Sequence, residues 1–160
     1  MPKHDIIVIG ASAGGVEALQ MLVRALPADL PAAVFVVLHT YPRTRSLLPE
    51  ILTRAGPLPA AHPEHGQLIQ LGMIYVALPD QHLLIERGHI HLSMGPQEQH
   101  QRPCINVTFR SAAIAYGERV VGVILTGHLD DGTAGLWEIK GEAAWRWCRI
   151  RREPWFLPCR

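Results

Sequence analysis

The sequence predicts an α/β domain with a mostly parallel, doubly wound sheet, flanking helices and a small antiparallel hairpin. A β-branched run at 6–9 leads through a glycine-rich turn into a stretch with helical periodicity, and the run 33–38 is again followed by a helical pattern. Two short strand patterns separated by Arg87-Gly88 indicate the hairpin. Strands that alternate with helices are typical of parallel sheets covered on both faces.

The first half of the chain alternates strands and helices. The run 6–9 predicts a buried strand, and the apolar residues over 14–26 recur at the three- and four-residue spacing of a helix. The run 33–38 predicts the second strand. A helix over 44–55 has its apolar residues on one side and ends at Gly56-Pro57.

The second half contains three short strands, a helix, a further buried strand and a last short helix. These elements are expected at 73–78, 82–86, 89–94, 105–116, 120–125 and 133–140, in that order. Gly117 is a plausible stop for the helix before it, because glycine often ends a helix at this position.

Composition excludes several classes of function. The chain has 160 residues, enough for one domain, and its net charge of +1 gives no sign of a nucleic-acid partner. Three widely spaced cysteines indicate neither a disulfide framework nor a zinc site, and we expect no cofactor and no metal. No apolar run approaches the length of a membrane span, and because Asp5 interrupts the first residues we expect no basic-then-apolar leader. We therefore expect a cytoplasmic protein without membrane insertion.

The turn that contains Ser12 is the strongest candidate for chemistry. It follows the first strand, and the free N–H groups of the next helix point at it and favour negative charge. A serine there suits a nucleophile whose oxyanion needs stabilisation. Two other interpretations stay open at this point. Ser12 can cap the helix, or the turn can hold a phosphate as dinucleotide-binding folds do, although His39 follows the second strand where an acidic residue is expected.

Ser12, His39 and Asp131 share one feature: each follows the carboxyl end of a predicted parallel strand. Sites in open α/β sheets gather at that edge, so these three residues form a candidate catalytic triad. Taken singly, His39 suits a hydrogen-bonded loop residue and Asp131 a helix N-terminal acid, so their joint placement carries the hypothesis.

Several sequence blocks occur in a characteristic order. They are Ile9-Gly10-Ala11-Ser12-Ala13-Gly14-Gly15, Val37-Leu38-His39, Gly72-Met73-Ile74-Tyr75-Val76-Ala77, Pro79-Asp80-Gln81-His82-Leu83, Arg102-Pro103, Phe109-Arg110-Ser111-Ala112-Ala113, and Leu125-Thr126-Gly127 through Asp130-Asp131-Gly132. With these blocks, residues 5–140 resemble the catalytic domain of the chemotaxis protein-glutamate methylesterases, the CheB family.

The resemblance implies a serine hydrolase that demethylates glutamate methyl esters of chemoreceptors and also deamidates receptor glutamines. Its partners would be methyl-accepting chemotaxis receptors. The family's nucleophile maps to Ser12, its histidine base to His39 and its aspartate to Asp131 rather than Asp130. Because the resemblance starts at residue 5, we expect this chain to lack the receiver domain that usually precedes the family's catalytic domain.

Three positions in or near the matching blocks depart from the family pattern. His128 stands where methionine is usual, Leu78 where proline is usual, and Asn106 where aspartate is usual. Because asparagine and aspartate are both good helix caps, we expect Asn106 to replace the acid as an N-cap.

The last twenty residues depart most. The segment 141–160 holds five arginines, two glutamates and three of the four tryptophans, and shows neither the family's following strand nor its last helix. We interpret it as a divergent tail, and a frameshift would also explain its composition. The chain is therefore expected to be a stand-alone methylesterase or a truncated form, with an inactive binding module and a dinucleotide-binding domain as alternatives.

Overall fold

The computed structural model describes residues 4–39, 46–126 and 131–141, together with the backbone strand at 145–148. A six-stranded parallel sheet forms the centre, in the order β3-β4-β2-β1-β7-β8, and β5 and β6 pair antiparallel as a separate hairpin. The strands are β1 Ile6–Ala11, β2 Ala33–Leu38, β3 Ala60–Ala61, β4 Ile74–Val76, β5 His82–Ile85, β6 Ile90–Ser93, β7 Val120–Ile124 and β8 Trp145–Cys148. This architecture confirms the predicted fold class.

The central strands are buried because they consist almost entirely of β-branched and other apolar residues. Strand β1 pairs in register with β2, which lies on one side, and with β7, which lies on the other. The last register pair of β1 and β2 joins Ala11 to Leu38. The residues that follow these two strands therefore leave the sheet side by side at its carboxyl edge.

Four α-helices in the described part of the chain cover the two faces of the sheet. They are α1 Gly15–Arg24, α2 Leu48–Ala55, α3 Ile105–Tyr116 and α4 Thr133–Gly141. The core against α1 and α2 includes Ile9, Leu19, Val34, Val36, Leu48 and Leu52. The core against α3, α4 and the hairpin includes Ile6, Val8, Phe35, Phe109, Leu136 and Ile139. Alternate residues of each central strand thus enter opposite cores, which is what a doubly wound sheet requires.

Hydrogen bonds attach the hairpin to α3. The Thr108 hydroxyl donates to the Leu83 carbonyl at 2.6 Å, and the Ile85 N–H donates to the Ser111 hydroxyl at 2.9 Å. The turn at Arg87-Gly88 is as predicted, with Gly88 at a φ of 82°, in the left-handed region that glycine adopts readily. The hairpin is therefore fixed to α3.

The structure differs from the sequence-based prediction at both sheet edges. Strand β3 was not predicted, because two alanines carry no strand pattern and are paired only through β4. The expectation that no strand follows residue 140 is wrong, since Trp145–Cys148 pairs in parallel with β7. The proposed boundary at 140 stays a prediction, because residues 142–144 and 149–160 lie outside the described part of the chain.

Helix α2 begins at Leu48 rather than at 44, and residues 40–45 lie outside the description. Among the described residues, no helix is both long and apolar enough to cross a bilayer.

Close packing between α3 and α4 gives a stability prediction. A Cβ added at Gly135 would lie 2.5 Å from the Phe109 Cβ, whereas one added at Gly141, in the same helix, meets nothing within 4 Å. We expect Gly135→Ala to lower the free energy of unfolding by about 1–3 kcal/mol. Gly141→Ala, the matched control, should leave it unchanged or raise it by about 0.5 kcal/mol. Urea unfolding measures both, and equal stabilities would contradict the packing described.

Candidate active site

The Ser12 turn is held tightly against the sheet. The Gly15 N–H donates to the Ser12 carbonyl at 2.8 Å, and Gly14 adopts a φ of 72° as the residue that precedes α1. A Cβ on Gly15 would lie 2.7 Å from the Leu38 Cδ1 and 2.8 Å from the Ala11 Cβ. Only glycine allows this approach, so the turn keeps the amino end of α1 close to the ends of β1 and β2.

Ser12 does not cap α1 through its side chain. The residue at the cap position is Gly14, and no side-chain hydrogen bond caps the helix. Instead, the Ser12 backbone N–H donates to the Thr126 hydroxyl at 3.0 Å, which ties the turn to the residues after β7. Ser12 is half-buried and Ala13 is exposed, so the turn opens to solvent.

His39 and Asp131 form a buried polar pair. The His39 Nε2 lies 2.7 Å from the Asp131 Oδ2, with the side chains 10% and 1% exposed. Because an ionised carboxylate only accepts hydrogen bonds, the proton lies on Nε2 and leaves Nδ1 available to another partner. The His39 backbone N–H also donates to the Ala11 carbonyl at 3.3 Å, which places His39 beside the Ser12 turn.

The structure thus brings His39 and Asp131 together, and the bond from His39 to Ala11 puts the residue before Ser12 beside His39. Within residues 4–39, no hydrogen bond joins the Ser12 hydroxyl to His39. The catalytic role of the three residues is therefore argued below as a proposal. His128 and Asp130 lie outside the described residues.

The Asp131 carboxylate accepts two hydrogen bonds on each oxygen. Oδ2 receives the His39 Nε2–H and the Ile105 N–H, both at 2.7 Å. Oδ1 receives the Asn106 N–H at 2.9 Å and the Cys104 thiol at 3.1 Å. Burial alone would raise the pKa of Asp131, but these donors outweigh it and hold that pKa below its ordinary value.

Asn106 plays a different part from the one expected. It lies inside α3, after the cap residue Cys104, and its Oδ1 accepts the N–H groups of Gly132 at 2.9 Å and Gly135 at 2.7 Å. Asn106 therefore caps α4, while Asp131 binds the first N–H groups of α3. Each helix start supplies the cap of the other.

Sequence reasoning missed three contributors to this site. From sequence, Thr126 is recognisable only as part of a family block, and a single cysteine such as Cys104 gives no sign of its setting. His82 links the hairpin to the site: its Nδ1 accepts the Cys104 N–H at 3.3 Å, and its Nε2 donates to the Pro96 carbonyl at 2.9 Å. Across the described residues, no cluster of His, Cys, Asp and Glu could hold a metal ion.

A doubly wound sheet with a glycine-rich serine turn and a buried His–Asp pair at its carboxyl edge defines an α/β domain of the class whose sites lie at the carboxyl ends of parallel strands. The family model described as CheB methylesterase matches residues 7–152. The chain therefore belongs to the CheB methylesterase family. Its fold is similar to the crystal structure of the Thermotoga maritima CheB methylesterase catalytic domain, with a TM-score of 0.84 and 31% identity, covering 90% of this chain and 78% of that one.

Curated relatives agree with the family model. The chain is 38% identical over 145 residues to a protein of Methanosarcina mazei named protein-glutamate methylesterase/protein-glutamine glutaminase 2. The matched region covers 86% of this chain and 40% of the relative. It is 36% identical over 139 residues to a putative enzyme of the same name from Leptospira interrogans, covering 86% of this chain and 72% of the relative. The chain spans about two fifths of the Methanosarcina relative. These matches do not favour the dinucleotide-binding alternative.

The exchange of caps gives a prediction for Asn106. Asn106→Ala removes the acceptor for two buried N–H groups, so we expect the free energy of unfolding to fall by about 1–3 kcal/mol. Asn106→Asp keeps an acceptor oxygen and should recover much of that loss near neutral pH. Thermal unfolding of both variants measures the difference. Equal losses would mean that the side-chain oxygen does not hold α4.

The lowered pKa of Asp131 gives a prediction about acid stability. The ionised carboxylate stabilises the fold above the ordinary aspartate pKa of about 4, and this contribution is lost as pH falls through the lower folded pKa. Asp131→Asn should lower the free energy of unfolding by about 2–4 kcal/mol near pH 7, because the NH2 group of the amide would face N–H groups that need an acceptor. The difference in the free energy of unfolding between wild type and Asp131→Asn should become smaller as the pH falls.

Urea unfolding between pH 7 and pH 3 tests this dependence. Asp29→Asn, at an exposed position, is the control and should follow the wild-type curve throughout. A gap between wild type and Asp131→Asn that is constant with pH would contradict the assignment.

Proposed function

We propose that this chain is a serine hydrolase that demethylates glutamate methyl esters of chemotaxis receptors and also deamidates glutamine side chains. The observation that carries the proposal is the buried His39–Asp131 pair, joined at 2.7 Å beside the glycine-rich Ser12 turn. The family and the names of its relatives supply the substrate class. Methyl-accepting receptors are the proposed partners, and the cytoplasm is the proposed compartment.

In the proposed mechanism, Ser12 is the nucleophile and His39 the base. His39 uses Nδ1, because Nε2 is bound to Asp131. The Ser12 oxygen attacks the ester carbonyl as its proton passes to His39, and the proton then goes to the departing methanol. Water then attacks the acyl group as His39 takes its proton, and His39 returns that proton to the Ser12 oxygen as the glutamate leaves. For a glutamine side chain the leaving group is ammonia.

Asp131 holds the imidazole and offsets its charge when it is protonated. The carboxylate is suited to this because its own position is fixed by three donors other than His39. The amino end of α1 lies at the Ser12 turn and favours the negative charge that develops on the ester oxygen. The chain's own groups thus supply the nucleophile, the base and the electrostatic stabilisation.

The substrate is expected to bind at an open surface. A surface cavity of about 760 Å³ lies at the carboxyl end of α3, near Arg87 and Tyr116, which is the end of the helix away from Asp131. The Ser12 turn is instead partly exposed. An open turn suits a single side chain presented by a protein helix better than a small molecule that must be enclosed.

Substitutions at the proposed triad test the activity. Ser12→Ala should abolish methanol release from a methylated receptor fragment, because the covalent intermediate forms at Ser12. Asp131→Asn should lose about 10⁴-fold in kcat, as expected when the histidine tautomer is no longer held. Asp130→Asn is the matched control and should retain activity.

Circular dichroism confirms that each variant folds, and a fluorophosphonate probe reports on Ser12 without a receptor. Labelling of wild type but not of Ser12→Ala is the expected pattern. Loss of activity in Asp130→Asn with none in Asp131→Asn would shift the assignment by one residue. A folded wild type that neither takes the probe nor releases methanol would favour the inactive binding module.

A further inference from the structure

Cys104 donates a hydrogen bond to Asp131 through its side chain. Among the described residues, His39 is the only other residue whose side chain does so. The Cys104 Sγ is 3.1 Å from Oδ1, on the opposite oxygen from the one that His39 binds, and Cys104 is fully buried. A carboxylate has about four lone-pair positions, and here four donors occupy them. The thiol therefore competes with the imidazole for the same negative charge.

We propose that Cys104 is a positioning residue that limits how strongly Asp131 stabilises the protonated form of His39. The proposal rests on the proposed function, in which His39 must take a proton from Ser12 and give it up again. The thiol withdraws charge from the carboxylate through Oδ1, and less charge remains on Oδ2 for the His39 N–H. Cys104 thus tunes the basicity of His39 without contacting it or the substrate.

The thiol is held in the donating state. Burial raises the pKa of Cys104 to about 12, and the neighbouring Asp131 carboxylate adds to this shift, so the proton stays on sulfur at neutral pH. Its backbone is fixed as well, because the Cys104 N–H donates to the Nδ1 of His82. Since Nδ1 accepts, the His82 proton lies on Nε2, which donates to the Pro96 carbonyl.

Among the described residues, few other titratable or charged groups lie near the linked side chains of Cys104, Asp131 and His39. His39 follows β2, Asp131 precedes α4 and His82 belongs to β5. On α3, the Arg110 guanidinium interacts electrostatically with Cys104 but is neutralised by Glu98, to which it donates at 2.7 Å; Glu138 of α4 also faces Arg110. None of these groups changes in the variants below, so a difference between variants reports on the thiol itself.

The experiment is an NMR titration of the His39 ring in the folded protein, which requires no substrate. Cys104→Ala removes the donor, and the midpoint of the His39 titration should rise by about half a pH unit relative to wild type. Cys104→Ser supplies a stronger donor, and the midpoint should fall below that of wild type. Leu52→Ala, which destabilises the opposite core, is the control and should leave the midpoint unchanged.

The same order should appear in activity. The acid limb of kcat/KM for methanol release should move to higher pH in Cys104→Ala and to lower pH in Cys104→Ser. A midpoint that rises equally in both variants, or moves in Leu52→Ala as well, would overturn the proposal, because packing rather than hydrogen bonding would then be responsible. If Cys104→Ala does not fold, the Cys104→Ser variant tests the proposal by itself. A His39 titration midpoint equal to or above that of wild type would then overturn the proposal.

Failure of the proposed function is seen separately. If the Ser12→Ala variant is as active as wild type, Ser12 is not the nucleophile, yet the His39 titration still shows whether Cys104 acts through Asp131. If Ser12→Ala is inactive and the titration midpoints of all variants coincide, the hydrolase stands and the role of Cys104 is overturned.

Discussion

The buried carboxylate of Asp131 is the interaction on which the site depends. It holds the imidazole of His39 with one oxygen and binds the amino end of α3 with both. A negative charge is expensive to bury, and here it is offset by four donors and by the positive end of a helix. The same four bonds therefore stabilise the fold and orient the candidate base. Removing the charge affects both, which links the stability of the protein to its chemistry.

Helices α3 and α4 are joined because a side chain near the start of each accepts hydrogen bonds from the backbone N–H groups at the start of the other. Asp131, just before α4, satisfies the first N–H groups of α3, and Asn106, inside α3, satisfies those of α4. The short approach at Gly135 lets the two helices come close enough for this exchange. Asp131 is therefore held at the amino ends of two helices that are bonded to each other, and it in turn holds His39, which follows β2.

The sequence was enough to predict the fold class and most of the helices and strands, because β-branched runs and helical spacing are local signals. It also indicated that Ser12, His39 and Asp131 each follow the carboxyl end of a parallel strand, and the structure shows that these strands are neighbours. The sequence could not show that Asn106 caps a different helix, or that Cys104 and His82 surround the carboxylate. Those contacts join residues about 25 positions apart and depend on how α3 and α4 pack. Strands β3 and β8 were missed because the first is formed only by pairing and the second lies in a segment of unusual composition.

The order of the strands has a consequence for how this protein can tolerate change. The residues of the proposed triad follow β1, β2 and β7, which are all interior strands, whereas β3 and β8 form the margins of the sheet. Within the sheet, β8 adjoins β7, and β3 is separated from β2 by β4. Each edge strand also contacts a helix, β8 with α4 and β3 with α2. Sequence changes at either border therefore act on the middle of the carboxyl edge through neighbouring strands and helices, and the tolerance of each border depends on how firmly α2 and α4 are held in place.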